Sequence, residues 1–390
     1  MTQPGKVPPP RVPLSQPTRT GGELELIRQV YDSAFAQRGY FASRCAAWIE
    51  QEVGGARRCA MTTSGTQALE MAALLLDLRP GDEIIVPSFT FASTANAFAM
   101  RGASLVFVDI RPDTLNLDER LLADAITPRT RAVVPVHYAG VACELDAILS
   151  IAQKHGLCVI EDAAQALRAR YRGQALGTFG ELAMFSFHQT KNYTAAGEGG
   201  ALLTSRPDWF ERIEVFLAKG TDSARFFAGK TRFFTWTDLG SSYAMGEMNA
   251  AYLCANLTAA QDIDEKRMSI WKYYHSRLQD VHLSKKAEIP MVPEHCQHNA
   301  HIFYVKLQDK AQRSDCQAFL REKGISAGSH YAPLHSSPAG LRFGRLHGED
   351  RWSTRESERL LRLPIYYNMN LDDAEYVANC LLAYFGTESL

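Results

Sequence analysis

Short apolar runs rich in β-branched and aromatic residues recur along the chain at 84–86, 105–108, 132–136, 158–160 and 183–187. Stretches of helical length separate most of them, at 66–77, 91–101 and 144–155. Strands without a polar alternate face, separated by helices, predict a mostly parallel sheet buried on both sides. Two further helices are predicted ahead of it, over 23–36 and 43–53, and Pro80-Gly81-Asp82 reads as a turn from a helix into its strand. Beyond about 245 the pattern becomes mainly helical, up to about 278. A strand over 301–307 and helices over 313–323 and 372–385 then make up a smaller α+β unit. The expected organisation is an arm over 1–20, a large domain with connecting helices over 21–280, and a small C-terminal domain over 281–390. The arm carries six prolines, which favour extended backbone and remove helix donors, so it is expected to lie over the surface.

Composition narrows the class. The 390 residues are 46% hydrophobic and 22% charged with a formal net charge of −1, enough for a substantial core and without the basic excess of a nucleic-acid binder. No apolar run reaches the roughly 18–20 residues that cross a bilayer, and the first 20 residues lack a signal-peptide stretch, so a cytoplasmic protein is expected. Eight widely spaced cysteines without a CxxC pair read as reduced, mostly buried thiols. His295, Cys296, His298 and His301 cluster in sequence, but no second ligand pair follows at a zinc-site spacing, and no metal is expected.

Three constellations carry candidate chemistry. Thr62-Thr63-Ser64-Gly65-Thr66 precedes a helix, where backbone N–H groups and hydroxyls converge on an anion or simply cap the helix. Glu161-Asp162-Ala163-Ala164-Gln165 ends an apolar run, placing an acid where open α/β sheets bind ligands; an acidic helix cap is the plainer reading. Phe185-Ser186-Phe187-His188-Gln189-Thr190-Lys191-Asn192 delivers a lysine from a strand into a polar segment, and three glycines between 194 and 200 imply backbone packed closely against something. A lysine in a polar loop is usually only a surface residue. In this order, however, the three supply an anion cradle, a carboxylate for a pyridinium nitrogen and an amine that bonds an aldehyde: the needs of pyridoxal phosphate.

At this point the chain resembles the DegT/DnrJ/EryC1/StrS sugar aminotransferases, of the aspartate-aminotransferase-like fold type I of PLP-dependent transferases. The resemblance rests on Ser64-Gly65-Thr66-Gln67-Ala68-Leu69, Pro80-Gly81-Asp82-Glu83, Pro87-Ser88-Phe89-Thr90-Phe91, Val136-His137-Tyr138-Ala139-Gly140, Gly197-Glu198-Gly199-Gly200 and the segments around Asp162 and Lys191. It implies that Lys191 carries the cofactor and moves the proton, with its pKa lowered by burial, and that Asp162 faces the pyridinium nitrogen. It further implies that Phe91 stacks on the ring, Gln165 lies beside it, and Gly65, Thr66 and Ser186 hold the phosphate. Ser242, where many relatives have asparagine, becomes a cross-subunit phosphate ligand in an implied homodimer with shared sites. Asn192, His330, Tyr331 and His335 are the implied substrate residues, although His335 reads equally as a structural loop histidine.

The same resemblance implies L-glutamate as amino donor and a nucleotide-linked 4-keto-6-deoxy sugar as acceptor. Ser43-Arg44-Cys45 and the segments 136–144, 346–351 and 356–364 look closer still to members that place a C4 amine on a dTDP-linked sugar in the galacto configuration. The gluco epimer, a GDP-linked sugar, and a non-catalytic regulator or nucleotide-sugar binding protein on the same fold are the alternatives. The family's dehydratases usually carry histidine in place of the lysine, so Lys191 argues against them. No GxGxxG follows a strand candidate, which leaves a Rossmann dehydrogenase without support.

Overall fold

The computed structural model describes residues 10–33, 39–55 and 57–386. Its centre is an eight-stranded sheet in the order Arg58–Thr62, Gly200–Thr204, Leu182–Ser186, Cys158–Asp162, Thr130–Val133, Glu83–Pro87, Ser104–Val108 and Gly344–Leu346. All neighbours pair in parallel except Gly200–Thr204, which runs antiparallel to both of its partners. The central strands are apolar because both faces are covered, one by Gly65–Leu75 and Ala92–Ala99, the other by Leu145–His155. The expected mostly parallel α/β sheet of fold type I is therefore present. Gly81, at φ +95°, makes the predicted turn before Glu83–Pro87 in the left-handed region glycine tolerates.

The predicted helices appear as Glu23–Asp32 and Tyr40–Val53, with residues 34–36 of the first lying outside the described set. The helical stretch resolves into Glu247–Thr258 and Ala260–Arg277. The C-terminal unit packs Lys310–Glu322 and Leu371–Tyr384 with the antiparallel pair Phe303–Lys306 and Leu360–Leu363 around its own core. One of its segments departs from the expected division: Gly344–Leu346 adds an edge strand to the large sheet beside Ser104–Val108. All eight cysteines are unpaired, seven of them buried. Among the described residues no helix is long and apolar enough to cross a membrane.

Candidate active site

The sheet brings the three sequence constellations to one end, as the strand-end rule for open α/β sheets requires. Strand Cys158–Asp162 finishes on Asp162, and Leu182–Ser186 finishes on Ser186 and leads to Lys191. Arg58–Thr62 feeds the turn into Gly65–Leu75, where the Ser64 hydroxyl caps the helix by accepting from the Gln67 N–H at 3.2 Å. These ends meet in a cavity of about 370 Å³ lined by Gly65, Thr66, Phe91, Asp162, Gln165, Ser186, Lys191, His330 and Tyr331. Nine of the twelve residues singled out from sequence line one space.

Five of them are held by identifiable contacts. Asp162 accepts from the Thr94 hydroxyl at 2.7 Å and from the Ala164 N–H at 3.2 Å. Gln165 accepts from the Ala139 N–H at 2.8 Å and donates to the Tyr331 hydroxyl at 3.1 Å. The Thr66 hydroxyl lies 2.7 Å from that of Ser93. His330 stacks flat on Tyr331, ring centroids 4.1 Å apart, with its Nδ1 3.1 Å from the Tyr138 hydroxyl. Burial, then the charges of Arg362 and Lys191, pushes His330 down to about 2, so it is a neutral ring. Tyr331 is pushed up to about 12, chiefly by burial, and keeps its proton.

The Lys191 amine takes no protein hydrogen bond or ion pair among the described residues. Burial lowers it from the ordinary 10.5 to about 8; Asp162 opposes that shift and Arg362 reinforces it. A desolvated, unpartnered lysine with an accessible neutral form is a nucleophile in waiting.

Three expected residues lie elsewhere. Asn192 is buried but committed to the protein: its amide donates to the Asn299 carbonyl at 2.9 Å and its oxygen lies 2.9 Å from His301 Nδ1. It positions the segment after Lys191 and is not among the residues that line the cavity. His335 is clamped between Ser88 (2.6 Å) and Asp350 (3.3 Å), contacts of the kind that hold a loop histidine, and it does not line the cavity. Ser242 is exposed and outside the cavity of its own chain.

The sequence motifs missed Arg362. It sits in Leu360–Leu363, lines the cavity, and pairs with no carboxylate among the described residues; its Nε is buried without a hydrogen-bond partner. Burial lowers its pKa, with Tyr138 and Tyr331 partly offsetting this. The available signal was a lone cation inside an apolar strand, Leu360-Leu361-Arg362-Leu363. It gives the cavity, which Asp162 and Glu198 also line, a cation to set against an anion.

The donor set fits pyridoxal phosphate. The first-turn N–H groups of Gly65 and Thr66 have no intrahelical acceptors, and hydroxyls of Thr66 and Ser186 stand beside them. The approach is close: a Cβ on Gly65 would lie 2.8 Å from Met184 Cε and 3.0 Å from Ser186 Cβ, so those side chains would have to give. Across the cavity stand the free amine and the oriented carboxylate. Fold and site together define a PLP-dependent transferase of fold type I.

Residues 18–382 match the DegT/DnrJ/EryC1/StrS aminotransferase family, and the chain belongs to it. It is similar to the spore coat polysaccharide biosynthesis protein SpsC of Bacillus subtilis (strain 168), 32% identical over 378 residues, covering 94% of this chain and 95% of that protein. Among solved structures, S. venezuelae DesV in complex with a ketimine intermediate superposes with a TM-score of 0.86 at 30% identity, covering 98% of this chain and 100% of that one. The aminotransferase TlmJ of Streptoalloteichus hindustanus gives 0.88 at 28%, covering 96% and 99%. The protein is an aminotransferase of this family, and pyridoxal phosphate is its cofactor.

Proposed function

We propose that the protein transfers the amino group of L-glutamate to C4 of a nucleotide-linked 4-keto-6-deoxy sugar. The substrate best matched by the motif segments is dTDP-4-keto-6-deoxy-D-glucose, giving dTDP-4-amino-4,6-dideoxy-D-galactose. The observation that carries the chemistry is the unpaired Lys191 amine, lowered to about 8, sharing one cavity with Asp162 and Arg362.

Pyridoxal phosphate, when bound, supplies the electron sink for a carbanion and stores the amino group between the two halves of the reaction. Gly65, Thr66 and Ser186 would hold its phosphate, Phe91 would pack against its ring, and Asp162 would keep the ring nitrogen protonated. Lys191, as a neutral amine, takes the α-proton of glutamate and later delivers a proton to C4 of the sugar. The face from which it delivers that proton sets the amine axial or equatorial. Arg362 offers a desolvated guanidinium to a donor carboxylate, a pairing that needs both partners in so dry a place. His330 and Tyr331, both neutral, offer hydrogen bonds to the sugar. Donor and acceptor take turns in one cavity, so the kinetics are ping-pong.

A homodimer completes the reading. Phe227, Phe233, Phe234 and Trp236 lie exposed on one segment, an apolar surface that suits contact with a second copy. Ser242, exposed just beyond it, is then free to face the partner's cofactor. Eight unpaired cysteines accord with a cytoplasmic, reducing setting.

The test is incubation with glutamate and dTDP-4-keto-6-deoxyglucose, followed by NMR assignment at C4. An axial amine is expected. An equatorial amine would overturn the galacto assignment alone, and turnover by Lys191→Ala would overturn the mechanism.

A further inference from the structure

The N-terminal arm is pinned at two points, one on each lobe. Val12, fully buried, donates to the Gly324 carbonyl at 3.0 Å and accepts from the Ser326 N–H at 2.9 Å. Beside it the Arg11 guanidinium lies 3.7 Å from the centre of the Tyr376 ring. At the other pin the buried Thr18 hydroxyl donates to the carbonyl of Asn192, the residue after Lys191, at 2.8 Å. The Thr18 carbonyl accepts from the Tyr252 hydroxyl at 2.9 Å. Only residues 13–17 bridge the two pins, and Pro13 and Pro17 restrict φ at both ends of that bridge. The bridge is therefore a held strap.

Leu14 and Ser15, in the middle of the strap, line the same cavity as Lys191 and Arg362. The Leu14 carbonyl accepts from the Ile365 N–H at 3.4 Å. A Cβ on Gly328 would stand 2.9 Å from Leu14 Cδ2 and 3.3 Å from Arg362 Nη2, so the two side chains lie next to each other over one glycine. Ile302, Ile365 and Leu363 also reach the cavity, and with Leu14 they contribute to its apolar lining. The Ser15 hydroxyl makes no hydrogen bond to protein among the described residues.

We propose that the arm is a substrate-binding element whose Leu14 and Ser15 select the amino acceptor. Leu14, with Ile302 and Ile365, packs on the deoxy carbon of the sugar, and Ser15 bonds one of its hydroxyls. The amino donor has no methyl group for Leu14 to pack on, and its carboxylate goes to the neighbouring Arg362, since burying a charge without a partner is costly. This inference rests on the reading of the acceptor as a deoxy sugar.

The two half-reactions separate the possibilities. Holoenzymes carrying Leu14→Ala, Leu14→Met and Ser15→Ala are converted with glutamate alone, and the aminated enzyme is then titrated with dTDP-4-keto-6-deoxyglucose. Leu14→Ala and Ser15→Ala are expected to lose about tenfold in kcat/KM for the sugar, the effect of one hydrogen bond or a few methylenes. The glutamate half-reaction stays within about twofold, and Leu14→Met restores the sugar step. Equal losses in both half-reactions would make the arm a mere brace and overturn the proposal, as would normal sugar kinetics in both alanine variants. Wild-type enzyme that reacts with glutamate but with no keto sugar would overturn the functional reading itself.

Discussion

The hydroxyl of Thr94 donates to Asp162 Oδ2 at 2.7 Å, tying the first turn of Ala92–Ala99 to the end of Cys158–Asp162. The same hydroxyl lies 2.8 Å from that of Thr90, so a short chain of hydroxyls ends on the carboxylate. With the Ala164 N–H on its other oxygen, Asp162 is fixed before any ring arrives. A charged hydrogen bond in a dry site is stronger than one between neutral groups.

Thr94→Val keeps the shape of the side chain and removes this donor. Affinity of the apoprotein for pyridoxal phosphate is expected to fall about tenfold, the worth of one hydrogen bond to a charged group. Thr94→Ser should restore it. Titration of apoprotein with cofactor, followed by absorbance, measures the change; wild-type affinity in the valine variant would show that Asp162 is oriented without Thr94.

Lys191 predicts a pH dependence. Cofactor capture by apoprotein needs the neutral amine, so its rate should climb through about pH 8 and level off above it. Arg362→Gln removes a neighbouring positive charge and should move that midpoint upward. Linkage has a definite sign here: the folded value of about 8 lies below the ordinary 10.5. The unfolded chain therefore binds more protons between the two, and apoprotein stability rises with pH across that window. Below about pH 8 the charged, buried amine carries its full cost. Lys191→Met should then raise the Tm of apoprotein at pH 7, by a stability gain of at most about 3 kcal/mol. An unchanged or lower Tm would mean that the ammonium is well solvated.

Much of this was legible in sequence, because apolar strands between helices and motifs at strand ends are local signals. What escaped is what depends on distant partners. Gly200–Thr204 reads as Gly-Ala-Leu-Leu-Thr whichever way it runs, and only its pairing makes it antiparallel. Gly344–Leu346 is three residues long, too short for a period. The resemblance implies Asn192 as a substrate residue, and no sequence signal tells that its amide donates to Asn299, 107 positions on. Ser88 claims His335 across 247 positions. Arg362 lies in the matched segment 356–364 without a role read from it, and becomes conspicuous only because no acid faces it among the described residues.

The glycines after Lys191 differ sharply from one another. A Cβ on Gly200 would stand 2.4 Å from the Gly65 nitrogen and the Ser64 carbonyl carbon, whereas one on Gly197 would meet nothing within 4 Å. The close packing inferred from sequence is thus against the backbone of Ser64 and Gly65. Gly200→Ala should cost about 1–3 kcal/mol, because backbone must shift, and should weaken cofactor binding as well. Gly197→Ala should stay within about 0.5 kcal/mol. Denaturant unfolding of both holo and apo forms tests the pair; equal effects would contradict this packing.

Glu161, beside Asp162, works on the scaffold. Fully buried, it accepts from the N–H groups of Gly177 (2.8 Å), Phe179 (2.7 Å) and Gly180 (2.9 Å) and lies 3.1 Å from His137 Nε2. Because His137 Nδ1 accepts from the Cys143 N–H at 3.2 Å, a neutral His137 carries its proton on Nε2 and donates it to Glu161. Burial alone would raise the Glu161 pKa, but His137 and the backbone donors outweigh it and hold the carboxyl below 4.5. A depressed carboxylate stabilises the fold above its unfolded pKa, and that contribution fades as pH falls through the folded value. Glu161→Gln should cost about 2–3 kcal/mol at pH 7 by loosening the turn that leads into Leu182–Ser186. It should also flatten the fall of Tm below about pH 4.5. Turnover per folded molecule should change little. A variant with the acid limb of the wild type would show that this carboxylate titrates alike in folded and unfolded chains.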